Sequence, residues 1–199
     1  MKGKLIIIDG IDGSGTTTQS ELLYNFLKAN KIKTFLSKEP SNKEIINLLR
    51  KNKDEFIDML LFLIDRSLHY KILEKYLKDG YTIVVDRSFP SNLAYQYYST
   101  NLKNKIKEEL VVFLNHLAMR HIQPDLVIIL DVDPSIAIKR LKKKKKKSII
   151  KKFEKLDFLK IVRKGFIYFA KKFKWKIIDS PKTIPEVHNE IIKEVLKIL

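Results

Sequence analysis

Leu5-Ile6-Ile7-Ile8-Asp9-Gly10-Ile11-Asp12-Gly13-Ser14-Gly15-Thr16-Thr17 is the stretch that decides the fold. The apolar run Leu5 to Ile8 reads as a strand buried on both faces. Gly10 to Gly15 reads as a glycine-rich loop, and the polar residues after it open a helix in which Leu22, Leu23, Phe26 and Leu27 recur at helical spacing. Gly10, Gly15 and the hydroxyl of Thr17 match a phosphate-binding loop (P-loop) set between strand and helix. Such a loop turns several N–H groups onto one anion, at the positive end of the helix dipole. Thr16 stands where the pattern has a lysine that neutralises charge between phosphates. On the loop alone, a glycine turn that binds nothing is the alternative.

Downstream the pattern repeats. Thr34 to Leu36 forms a second short apolar run, a helical stretch covers Phe56 to Leu77, and Thr82 to Val85 is a strand ending at Asp86-Arg87. Ile106 to Arg120 reads as helix, Leu126 to Leu130 as strand, Phe158 to Phe173 as helix, Lys176 to Ile178 as strand and Pro185 to Leu199 as helix. Strands that read as continuous apolar runs and alternate with helices predict an α/β fold: a parallel sheet covered on both faces, with ligands beyond the carboxyl ends of its strands. Gly10 and Asp86 both fall at such ends.

With 199 residues, 45% hydrophobic and 32% charged, one domain spanning 1–199 is expected. The absence of cysteine excludes disulfides, thiolate metal sites and cysteine nucleophiles, and the 4 histidines leave a hydrated Mg²⁺ as the fitting metal. No apolar run is long enough to span a bilayer, and MKGKLIIIDG lacks the features of a secretory signal, so a cytoplasmic location is expected. The 40 Lys+Arg against 23 Asp+Glu give +17, which suits nucleotides, nucleic acid or an acidic membrane surface without choosing among them. Lysine enrichment also follows from high growth temperature.

Further motifs follow in order: Lys38-Glu39-Pro40; Leu60-Leu61-Phe62 with Arg66; Asp86-Arg87; Ser91-Asn92-Leu93-Ala94-Tyr95-Gln96; Asp131-Val132-Asp133-Pro134 before Lys139-Arg140; Phe158-Leu159 with Arg163 and Tyr168; Ile178-Asp179. In motif order and spacing the chain resembles thymidylate kinases, most of all the archaeal type. The resemblance implies a P-loop nucleoside-monophosphate kinase fold with a short basic lid at about 141–153, and transfer of the γ-phosphoryl group of ATP to dTMP with Mg²⁺.

It also implies roles. Gly10, Ile11, Asp12, Gly13, Ser14, Gly15, Thr16 and Thr17 would hold ATP, with Arg140 near the adenine; Thr17 and Asp86 would hold Mg²⁺, directly or through water. Asp12, Asp86, Arg87 and Lys38 would be catalytic, Arg87 gripping the acceptor phosphate as a fork. Lys38 stands where the family has an arginine, so a point charge replaces a fork. The dTMP pocket would comprise Glu39, Pro40, Phe62, Arg66, Arg87, Ser91, Asn92, Tyr95 and Gln96. Phe62 and Arg66, four apart on one helix face, would stack on the thymine and bond its edge. Tyr95 would pack where a ribose 2′-hydroxyl would sit.

The lysine run 142–147 lies where the lid belongs, and a lid lysine or Lys38 is expected to stand in for the one missing at Thr16. A solvated basic loop is the plainer account of that run. The resemblance further implies a homodimer. Two rival readings stay open at this point: a pseudo-kinase that lost turnover with Thr16, and a basic nucleic-acid-binding protein, for which no groove-reading motif is present.

Overall fold

The computed structural model describes residues 3–143 and 155–199. Strands β1 (Lys4–Gly10), β2 (Thr34–Lys38), β3 (Thr82–Asp86), β4 (Leu126–Asp131) and β5 (Lys176–Asp179) form one sheet in the order β2-β3-β1-β4-β5. Every strand pair is parallel, so the carboxyl ends share one edge.

The two-residue period of a strand explains why Leu5 to Ile8 has no polar member. Leu5 and Ile7 pack with Tyr70 and Leu73 of α3 (Glu55–Lys78) and with Leu159, Val162 and Phe166 of α8 (Leu156–Lys172). Ile6 and Ile8 point the other way, onto Leu23 and Leu27 of α1 (Thr16–Ala29) and Val187, Ile191 and Val195 of α9 (Ile184–Val195). Helices therefore cover both faces, as predicted. The strand positions expected from sequence coincide with the observed ones, each slightly lengthened.

Three local features went beyond the periodicity. A short α2 (Lys43–Lys51), N-capped by Asn42, occupies the segment after Pro40. The helix expected over Ile106 to Arg120 is α6 (Glu108–Ala118), and a one-turn α5 (Leu102–Lys105) precedes it. After the short α4 (Phe89–Ser91), Asn92–Tyr98 is a π-helix, whose wider turn is common at functional sites. Helix α7 (Pro134–Lys143) runs up to the expected lid, which lies for the most part on residues 144–154, outside the described residues.

Candidate active site

Three connections leave the carboxyl edge of the sheet side by side. Between β1 and α1, Gly13 has φ 85°, and a Cβ there would stand 2.5 Å from the Ala137 carbonyl oxygen of α7, so only glycine lets the loop turn against that helix. Gly15 takes the N-cap position of α1 without a capping side chain, which leaves the first amides of the helix to an anion. The rim of the loop is held by Ser180, whose hydroxyl donates to the Ser14 carbonyl at 2.5 Å, and by Arg140, which donates to the Ser180 carbonyl at 2.6 Å and more distantly to Gly13. Arg140 is thus brought to the P-loop. Thr16 is buried at the start of α1.

β3 delivers Asp86 and Arg87. Asp86 Oδ2 accepts from the Thr17 hydroxyl at 2.6 Å, whereas Oδ1 is buried with no hydrogen-bond partner. Arg87 donates to Asp12 Oδ1 at 2.7 Å and lies over the Tyr95 ring, 5.8 Å from its centre. Burial alone would lower the guanidinium's pKa, but Asp12, Tyr95, Asp9 and Asp86 hold it well above the ordinary arginine value. Lys38 stands opposite Asp86 in the β2–β3 register, with its side chain in solvent. The expected catalytic group of Asp12, Asp86, Arg87 and Lys38 is therefore assembled at one edge.

Beneath it lies a residue that sequence reading missed. Asp9 is fully buried and accepts hydrogen bonds from the amides of Gly10, Ser88 and Ser91 and the Ser91 hydroxyl, with Arg87 3.9 Å away. Burial pushes its carboxyl up to about 6, against the opposing pull of Arg87 and of these donors. It ties the β1 end to the turn after β3. Ser91, expected to touch ligand, is committed to this hub and receives a further bond from Arg87 at 3.3 Å. Tyr95 carries a further contact: its hydroxyl accepts the Asp12 amide at 2.8 Å, joining the π-helix to the P-loop as well as packing on Phe158 and Phe166.

On α3, Phe62 is half-buried against Ile45, Leu49 and Leu61. Arg66 is buried and donates through Nε and Nη2 to Glu39 Oε2, at 3.0 and 2.7 Å, and through Nη1 to Asn115 Oδ1 at 2.6 Å. Glu39 requires a correction: its carboxylate faces inward, with Oε1 taken by His69 Nδ1 at 3.1 Å and the Ser88 hydroxyl at 3.3 Å, so it holds Arg66 instead of facing a ligand. The reason is that a buried carboxylate must be paired. Burial would raise its pKa, and Arg66 and His69 bring it below the ordinary value. Pro40 follows through a cis peptide bond. Asn92 is buried and bonded to Asn115. Gln96 lines, with Tyr95, Asp58 and Phe158, a cavity of about 160 Å³.

A family model described as thymidylate kinase matches residues 8–191. The chain belongs to the thymidylate kinase family. A probable thymidylate kinase of Methanocaldococcus jannaschii is 38% identical over 194 residues, covering 94% of this chain and 93% of the relative. The thymidylate kinase of Sulfurihydrogenibium sp. is 33% identical over 201 residues, covering 96% and 95%. The crystal structure of thymidylate kinase from Ehrlichia chaffeensis aligns with a TM-score of 0.76 and 29% identity over 98% of this chain and 100% of that one. The parallel sheet with helices around it is thus the nucleoside-monophosphate kinase fold that the thymidylate kinase motifs implied.

Proposed function

We propose that the chain transfers the γ-phosphoryl group of ATP to dTMP, giving ADP and dTDP. The observation that carries this reading is the pairing, on neighbouring strand ends, of Thr17 with Asp86 and of Asp12 with Arg87. The first pair borders the P-loop, where donor phosphates would lie on the amides of α1. The second offers an arginine fork to an acceptor phosphate. The expected site residues enter here as our assignment, with Glu39 acting through Arg66.

Mg²⁺ fits the donor set. The Thr17 hydroxyl and Asp86 are hard oxygen ligands, Asp86 Oδ1 is buried and unpaired, and no cluster of three His, Asp or Glu exists among the described residues, which leaves the other positions to water and phosphate oxygens. When bound, the ion neutralises charge on the transferring group. The chain's own part is positioning: P-loop amides hold the donor, Arg87 braced by Asp12 holds the acceptor, and the π-helix ties the two through Tyr95.

The missing P-loop lysine is made up, in this reading, by Lys38 or by lysines of a lid at about 141–153 within a single kinase domain. ADP formation from Mg·ATP with dTMP, dUMP, UMP and AMP tests the function, with Thr16→Lys beside it. Turnover is expected to be highest on dTMP, and Thr16→Lys to change kcat by less than about tenfold, because other cations already surround the phosphates. Activity only in the lysine variant would make the natural chain a pseudo-kinase, and tight nucleic-acid binding with no turnover would sink the kinase reading.

A homodimer in the cytoplasm completes the proposal. Ile64, Leu68 and Ile72 of α3 and Leu110, Phe113 and Leu117 of α6 are each about half exposed, on two helices that pack together. Such an apolar face on adjacent helices supports association. Among the described residues no helix is long and apolar enough to cross a membrane. Sedimentation equilibrium should give twice the chain mass, and Phe113→Glu should shift it toward the monomer.

A further inference from the structure

Ser180, the first residue after β5, is 4% exposed, and each of its polar atoms is engaged. Its amide donates to the Asp131 carbonyl at the end of β4, at 2.7 Å, and its carbonyl accepts from Arg140 Nη2 of α7, at 2.6 Å. The hydroxyl has one proton, which goes to the Ser14 carbonyl at 2.5 Å, while a lone pair takes Arg140 Nη1 at 3.3 Å. No other assignment works, because a backbone carbonyl only accepts and a guanidinium only donates. Ser180 is thus fixed from two sides through its backbone, and its side chain in turn fixes the Ser14 carbonyl.

What the hydroxyl holds is a whole peptide unit. In a trans peptide the carbonyl of one residue and the amide of the next point in opposite directions. With the Ser14 carbonyl drawn out to Ser180, the Gly15 N–H is turned away from Ser180. That amide makes no hydrogen bond among the described residues, whereas the Ser14 amide before it is spent on the Ile11 carbonyl at 3.0 Å. Glycine makes the orientation easy to lose. Gly15 sits at φ 104°, and a half-turn of the Ser14–Gly15 peptide would bring it to a negative φ that glycine adopts as readily. The residues of the loop do not hold the amide by themselves, so the hold must come from outside. We infer, on the reading of this loop as the ATP site, that Ser180 is a positioning residue for the donor phosphates: by keeping the Ser14 carbonyl outward, its hydroxyl keeps the Gly15 amide aimed at the anion. With Thr16 in place of a lysine, the stretch from Gly10 to Thr17 has no cation of its own to gather phosphates, so correctly aimed amides count for more.

Ser180→Ala removes the hydroxyl and leaves the two backbone bonds, to Asp131 and from Arg140, in place. In the full chain, KM for ATP is expected to rise about tenfold, with KM for dTMP within about twofold of the wild type. Calorimetric titration with ADP should show the same weakening. Because Arg140 is expected near the adenine, competition against ATP separates phosphate from base: the inhibition constant of tripolyphosphate should rise as KM for ATP does, while that of adenosine should stay. Ser180→Cys, close in volume and with a weak S–H donor, should fall between the wild type and Ser180→Ala, and it carries the test should the alanine variant not fold. Unchanged ADP affinity in a folded variant, equal losses for ADP and dTMP, or a loss shared by ADP and adenosine with tripolyphosphate unmoved overturns the inference and leaves the kinase reading standing. A wild-type chain that binds neither ADP nor tripolyphosphate overturns both.

Discussion

Asp86→Asn is expected to lower kcat by about a thousandfold, roughly 4 kcal/mol of transition-state stabilisation, with little change in the folded structure. The substitution keeps the shape of the side chain and one acceptor for the Thr17 hydroxyl, so the strand end and the start of α1 stay in place. What disappears is the negative charge whose free oxygen, Oδ1, is buried without a partner. A buried, unpaired carboxylate oxygen is costly, and it is tolerated where a cation completes it. Steady-state rates across a Mg²⁺ series check the result: the variant should need far more Mg²⁺ for half-maximal rate. A variant with wild-type Mg²⁺ dependence would place the ion elsewhere.

Arg87→Met is expected to cost about 10³-fold to 10⁴-fold in kcat/KM for dTMP, most of it specific to the acceptor, with Arg87→Lys intermediate because a point charge replaces a fork. Two features show why the loss is large. Asp12 spends its carboxylate bracing Arg87, and the Arg87 backbone adopts φ 67°, a left-handed conformation that costs a non-glycine residue about 1–2 kcal/mol. The fold maintains that cost where the guanidinium must point. The same substitution predicts a pH effect on stability. Burial raises the Asp9 carboxyl from 3.8 to about 6 in the folded chain, so its proton adds stability at low pH, and this contribution is lost as pH rises through about 6. Without Arg87 to oppose burial, the folded value climbs further. Tm measured at pH 5 and pH 8 should therefore differ more in Arg87→Met than in the wild type.

Much of this was open to a reader of the sequence, and the reasons differ by residue. Strands announced themselves because a parallel strand buried on both faces has no polar positions to spare, as Ile6, Ile7 and Ile8 show. The phosphate loop was legible because Gly10 and Gly15, followed by the hydroxyl of Thr17, stand at the motif's spacing between a strand and a helix. Asp9 was not: an acid closing an apolar run looks like the first residue of a loop, and only the register that sets Ile8 beside Asp86 turns it into the hub under Ser88 and Ser91. Asn115 was hidden for a similar reason, since one amide in an amphipathic helix carries no signal and its partner Arg66 is 49 positions away. Glu39 was found but given the wrong direction, because its orientation depends on His69 and Arg66, residues contributed by another helix.

The π-helix Asn92–Tyr98 has a bearing on how this segment can change over time. A π turn holds more residues than an α turn, so the stretch behaves as an α-helix with a residue inserted. Removing any one residue there would let the helix relax to ordinary geometry, yet it would rotate the side chains beyond the deletion by about 100° relative to those before it. The Tyr95 hydroxyl would then leave the Asp12 amide, and Gln96 its cavity. Substitutions along this segment alter one contact each, whereas a change in its length scrambles them all, so the number of residues between Ser91 and Ser99 is itself a heritable part of the site.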